Sequence, residues 1–297
     1  MFSRRHPILF SILVFSAIAG ATIVALAITL SVALRGDDLS FSDAQKVGII
    51  EIEGVILDAR TVLEDLKRFR EEDSVRAIVL RIDSPGGVVG PAQEIYREVR
   101  KTCDEKTVIA SMGAIAASGG YYVAAAADGV MANPGTITGS IGVIIEYTNF
   151  RSLLDKIGLV PVVIKSGEYK DLASPVKPMS EEERKILQTF ADQTHTQFIR
   201  AVAEGRGMDD GAVARLADGR IFNGEQAQEL GLVDRLGNLQ DAVDWAAELA
   251  GIEGDVKTVY SRTEKYSLLG LLTEGAAGLL SRQFKASDLF AGYLYRP

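Results

Sequence analysis

The chain has 297 residues, 47% of them hydrophobic and 24% charged, with 29 glycines, one cysteine, two histidines and a formal charge of −8. A single cysteine, Cys103, excludes an intrachain disulfide, a zinc site built on cysteines and a CxxC redox pair. The histidines, His6 and His195, exclude a multi-histidine metal centre, and any Ser/His/Asp arrangement would have to use His195 alone.

Residues 1–7 form a short leader carrying Arg4 and Arg5. Residues 8–34 are 27 consecutive uncharged, mostly apolar positions. As a helix they would span about 40 Å, against roughly 30 Å for a bilayer core, so they read as a transmembrane anchor. Ser31-Val32-Ala33 resembles a signal cleavage site, but the apolar run exceeds the roughly 7–15 residues that such signals carry. Arg4 and Arg5 precede the run and Asp37 and Asp38 follow it, which places the N-terminus in the cytoplasm and the rest outside. Three of the 32 basic residues and none of the 40 acidic ones precede Asp37, so the remainder carries −11 and is a poor partner for nucleic acid.

Residues 35–46 are polar and aperiodic, a linker to a domain over 47–260. Val47–Ile52 is a predicted strand, and Val62, Leu66 and Phe69 mark one face of a helix. Ala77–Ile82 is a second, buried strand. A helix over 91–102, a strand over 107–111, a glycine-rich turn leading into a helix that ends at Ala127, and strands at 130–131 and 140–144 continue the alternation. This rhythm predicts an α/β fold with a mostly parallel sheet. Residues 150–157 read as a helix and 161–164 as a strand. Ser180 and Glu183 form a capping box at the head of a long helix whose apolar face holds Leu187, Phe190, Ala191, Thr194, Phe198 and Val202. Helices at 209–217, 224–230 and 238–250 follow. The tail, 261–297, reads as an amphipathic segment.

Three glycine-rich stretches could carry chemistry. Asp83-Ser84-Pro85-Gly86-Gly87 can leave backbone N–H groups uncovered for an oxyanion, or can be a plain strand-to-helix turn. Ser118, within Ala116-Ala117-Ser118-Gly119-Gly120-Tyr121-Tyr122, sits at a helix mouth as an exposed hydroxyl or as a helix N-cap. The lysines of Lys165-Ser166-Gly167-Glu168-Tyr169-Lys170-Asp171 are either solvated or, if serine attacks and histidine is scarce, a source of general base, and Asp171 reads as a solvated loop carboxylate.

DSPGG, AASGGYY, TGSIGVI, KSGEYKD and GRIFNGEQAQELGLVDRLG, in this order between Val47 and Ala250, together resemble the signal peptide peptidase SppA family in its short, single-copy form. The resemblance implies a ClpP/crotonase-like fold and a Ser/Lys dyad. Ser118 takes the place of the nucleophile and Lys170 that of the general base. Ser140 falls where a serine orients the lysine, and Gly87 and Gly119 match the oxyanion donors. No metal or cofactor is implied. A homo-oligomeric ring is, with Ser118 and Lys170 of one site coming from the same subunit or from neighbours. The implied substrates are remnant signal peptides and other unfolded apolar peptides on the extracytoplasmic side of the cell membrane. Asp83 departs from the asparagine common at its position. Two rival readings remain: a relative of the same fold, either a ClpP-like peptidase using His195 or an acyl-CoA enzyme, and a non-catalytic, membrane-tethered peptide-binding scaffold. An outward-facing domain argues against the acyl-CoA enzyme.

Overall fold

In the computed structural model the described residues are 45–261, the backbone of 290–294, and near the N-terminus Ile8, 15–22, 25 and 26. Residues 1–44 and 45–297 form two compact units. In the first, every described residue is helical. Most of the predicted anchor, 8–34, and all of the leader lie outside the described residues, and among those described no helix is long and apolar enough to cross a membrane.

The second unit is built on a parallel sheet. Its strands are β1 (Lys46–Glu53), β2 (Val75–Ser84), β4 (Thr107–Ala117), β5 (Gly129–Ala132), β9 (Arg235–Leu236) and β10 (Lys257–Tyr260), in the order β10-β1-β2-β4-β5-β9 with every pairing parallel. β6 (Ile137–Gly139) joins the end of β4 in parallel, and β8 (Ile221–Phe222) pairs with it antiparallel. The mostly parallel α/β sheet expected from the sequence is therefore present.

Both faces of the sheet are buried, which is why its strands read as nearly continuous apolar runs. Ile50 and Ile52 of β1, Ile78, Leu80 and Ile82 of β2, and Val108, Ala110 and Met112 of β4 face one core. Val47, Ile49, Ala77, Val79 and Ile109, of opposite parity, face the other. Helices α1 (Arg60–Glu71) and α2 (Val89–Cys103) cover the first face together with α3 (Gly119–Ala124) and α5 (Glu181–Arg206). α8 (Leu239–Leu249) covers the second with Val243, Trp245 and Ala246. α4 (Arg151–Lys156), α6 (Asp210–Leu216) and α7 (Gly224–Glu229) are short connectors.

Two predicted strands are not found as drawn. At 140–144 the chain first breaks, because Gly139 (φ 77°) and Ser140 (φ 52°) take left-handed backbone that no strand accommodates; pairing resumes at β7 (Ile144–Glu146). Residues 161–164 form no strand, since Pro161 lacks a donor and no described strand lies beside them.

α5 begins at the expected capping box: Ser180 Oγ accepts from the Glu183 N–H at 3.1 Å and Glu183 Oε2 from the Ser180 N–H at 2.9 Å. Its C-terminal half is buried through Phe198 and Val202, whereas Ile186 and Phe190 in its first half are exposed. A Cβ built on Gly205 would lie 1.9 Å from the carbonyl oxygen of Ala125, so here the helix rests directly on backbone. Gly205→Val is expected to cost about 3 kcal/mol or more in denaturant unfolding, because the obstructing atom cannot move aside.

Candidate active site

β4 runs straight into α3, and Ser118 is the residue between them. Its backbone is left-handed, φ 53° and ψ −117°, a conformation that a non-glycine residue holds only when its surroundings enforce it. The surroundings are specific. The Ser118 N–H donates to the Gly139 carbonyl at 2.8 Å, and the Tyr122 N–H donates to the Ser118 carbonyl at 2.8 Å. The Tyr121 hydroxyl donates to the Leu232 carbonyl at 2.9 Å. The Tyr122 ring lies between Tyr96 of α2 and Phe198 of α5, at 5.0 and 4.9 Å. The two tyrosines that follow the glycines are thus anchors that fix the head of α3.

Ser118 occupies the N-cap position of α3, yet its side chain makes no capping hydrogen bond. Its hydroxyl is not committed to the helix, which removes the plain N-cap reading. A sharp strand-to-helix turn carrying an uncommitted serine is a geometry that presents Oγ to a substrate. The uncapped N–H groups of the first helical turn lie beside it.

Ser118 and Ser140 line one cavity of about 500 Å³, with Gly142, Val143 and Ile144 on one side, Gln188, Asp192 and His195 of α5 on another, and Asp218 and Gly219 beyond. Adjacent pairing brings the two serines together: Ala117 is in register with Gly139. The His195 Nε2 atom is buried without a hydrogen-bond partner among the described residues. The sequence missed Gln188, Asp192 and Asp218, although Asp192 is one helical turn from His195 and so shares its face.

The Ser-Pro-Gly-Gly turn abuts this head. A Cβ on Gly120 would lie 2.7 Å from the Ser84 carbonyl oxygen. Ser84 Oγ donates to the Gly54 carbonyl at 2.6 Å and accepts from the Gly86 N–H at 3.1 Å, which shapes the turn. Gly87, buried in β3 (Gly86–Val88), is pressed so closely on Ile56 that a Cβ would lie 2.1 Å from its carbonyl oxygen. Gly87 and Gly119 are therefore both placed beside the turn, though neither lines the Ser118 cavity itself.

Lys170 is placed differently. It is exposed, in a run of turns after Ile164, and is not among the residues lining the Ser118 cavity. Asp171, which the sequence suggested to be a solvated loop carboxylate, is instead paired: its Oδ1 accepts from Lys165 Nζ at 2.7 Å and Lys177 Nζ at 2.9 Å. These two ammonium groups, Lys165 first, hold the carboxyl down at about 2.

The tail contributes a strand. Residues 290–294, β11, lie between β3 and β7 and antiparallel to both, with Tyr293 opposite Gly87 and Ala291 opposite Ile145. The remainder of the predicted tail beyond Ser261 lies outside the described residues.

A serine without a capping bond on a positive-φ turn at the head of a helix, with a slot nearby that holds an extended chain, is an arrangement suited to a serine hydrolase of the peptidase kind. The profile of peptidase family S49 matches residues 100–253, and that of Clp protease matches 39–137. A protein of Synechocystis sp. named as a protease is 45% identical over 240 residues, 80% of this chain and 86% of that one. One of Enterococcus faecium named as a signal peptide peptidase SppA is 39% identical over 214 residues, 67% of this chain and 62% of its own length. A Methanocaldococcus jannaschii protein named as a protease is 36% identical, over 72% and 69% of the two chains. The chain belongs to peptidase family S49, the signal peptide peptidase SppA family, and is a serine peptidase with a ClpP-like domain.

Asp83 is turned toward β4. Its carboxylate accepts from the Ala114 and Ile115 N–H groups, both at 3.3 Å, where the β2–β4 register shifts. Asp83→Ala is expected to lose about 1–2 kcal/mol of stability, read by thermal unfolding, as the two N–H groups lose their acceptor. Asp83→Asn, which keeps one acceptor oxygen, should lose less.

Proposed function

We propose that this chain is a membrane-anchored endopeptidase that cleaves extended apolar peptides, remnant signal peptides among them, with Ser118 as nucleophile and Lys170 as general base. The observation that carries this reading is the strained, uncapped Ser118 at the mouth of a cavity it shares with Ser140. Lys170 removes the Ser118 proton as Oγ attacks the peptide carbonyl, and the N–H groups of Gly119 and Gly87 receive the oxyanion. The protonated lysine then gives its proton to the leaving amine and, neutral again, activates water to release the acyl group. Ser140 orients the amine.

We assign Lys170 of one copy to Ser118 of its neighbour in a ring. In a single chain Lys170 lies off the Ser118 cavity. It follows an apolar segment, Leu159–Ile164, that is almost wholly uncovered: Val162 is 83% exposed and Ile164 98%. Such a stretch calls for a partner surface. The anchor over 8–34 and the extracytoplasmic location belong to the same reading and would hold the ring over peptides leaving the bilayer.

The substrate lies as a strand between β3 and β7, where its backbone takes the ladder positions that 290–294 take here. Deleting residues 288–297 should therefore vacate the slot and lower KM for a peptide substrate severalfold, with kcat unchanged. An unaltered KM would mean that the tail does not compete.

Ser118→Ala and Lys170→Ala should each abolish hydrolysis of a signal-peptide-like substrate while keeping the fold. Mixing the two inactive proteins before assembly should restore part of the activity, since some sites then combine an intact Ser118 with an intact Lys170. A dyad within one subunit gives no recovery. His195 offers a second reading, because its buried, unpartnered Nε2 lines the Ser118 cavity. Loss of activity in His195→Ala with full activity in Lys170→Ala would establish histidine as the base.

A further inference from the structure

The loop that carries Lys170 has neither helix nor strand to hold it, yet a general base must come within hydrogen-bond reach of its serine. Residues 165–174 are a series of turns: the Lys170 N–H donates to the Gly167 carbonyl at 3.2 Å, Leu172 to Tyr169 at 3.1 Å, and Ser174 to Asp171 at 3.0 Å. Such turns are weak individually. What ties them down is a ladder of charge. Lys165 Nζ closes the loop on itself, donating to the Glu168 carbonyl at 2.6 Å and to Asp171 Oδ1 at 2.7 Å. Lys177 Nζ meets the same Asp171 oxygen at 2.9 Å and reaches Glu183 Oε1 at 2.5 Å. Glu183 is buried at the capping box of α5. The same helix, one to three turns on, supplies Gln188, Asp192 and His195 to the wall of the Ser118 cavity.

We infer that Asp171 is the positioning residue for Lys170: it clamps the base-bearing loop to the head of α5, and its two lysine partners keep its own charge away from the base. The inference rests on the Ser/Lys reading above. The two effects have separate physical causes. Anchoring matters because a reacting group displaced by about 1 Å can lose about 100-fold in rate. Charge matters because a free carboxylate beside Lys170 would favour the protonated amine, the form that cannot accept the serine proton. Two ammonium groups on one carboxylate oxygen occupy that charge. The low value to which they hold Asp171 keeps it ionised, and the ladder closed, across any pH at which a lysine base works.

The test uses the full chain and a peptide substrate, with Asp171→Asn, Asp171→Glu and Lys170→Ala assayed together. Asp171→Asn should lower kcat about 10- to 100-fold with KM within about twofold of wild type, and the melting curve should stay in place. Asp171→Glu, which can still reach both lysines, should recover most of the rate. Lys177→Met, which removes one rung at a half-buried position, should lower kcat in the same way and serves as the measurement if Asp171→Asn does not fold. A wild-type kcat in Asp171→Asn, or equal losses in the Asn and Glu variants, overturns the clamp while an inactive Lys170→Ala leaves the dyad standing. An active Lys170→Ala overturns the dyad, and the clamp with it.

Discussion

Everything at this site depends on one residue being held where its backbone would not go unaided. Left-handed φ at Ser118 costs about 1–3 kcal/mol by itself. Four neighbours offset it: the Gly139 carbonyl on the Ser118 N–H, the Leu232 carbonyl on the Tyr121 hydroxyl, and the Tyr96 and Phe198 rings on either side of Tyr122. These partners come from four separate parts of the sequence. The turn is therefore rigid only when sheet, α2, α5 and the 221–236 segment are all in place, which makes the geometry of Ser118, itself buried in the wall of its cavity, a property of the whole domain.

The parallel sheet supplies the stiffness for this. Both its faces are covered, so no strand can slip by one residue without turning apolar side chains from one core to the other. The active site lies beyond the ends of β4 and β6, where such sheets leave a crevice. The register shift between β2 and β4 occurs just before Ser118, and Asp83 fills the backbone donors that the shift leaves open. The Asp83 carboxylate is thus part of the support for the strand that leads into Ser118.

Much of this was legible in the sequence because it follows from local pattern. Apolar runs gave the strands, and Ser180 with Glu183 gave the start of α5 to the residue. The glycine-rich motifs gave the two turns that meet at Ser84 and Gly120. What the pattern could not carry was anything set by a partner distant in sequence. The break at Ser140 depends on the Arg220 carbonyl that accepts from its N–H, and the 161–164 segment has strand composition but no strand pairing among the described residues. Asp171 looked like a solvated loop residue because its partner Lys177 lies across a further turn. β11 lay in a tail that read only as an amphipathic segment, and a five-residue strand with two separate partners has no local signature.

The scarcity of histidine acquires a structural meaning here. A serine beside a histidine can complete its catalytic pair inside one subunit, because the imidazole is near neutral at working pH without special burial. A lysine serving as base generally needs an environment drier than water, and in the single chain Lys170, the base proposed above, is exposed. The uncovered segment Leu159–Ile164 directly precedes it, so whatever covers that apolar surface also encloses the start of the lysine loop. In the ring proposed above, covering the segment and sheltering the lysine loop would be one event. Under the proposed Ser/Lys reading, a separated chain would therefore be inactive and would gain its peptidase activity on assembly.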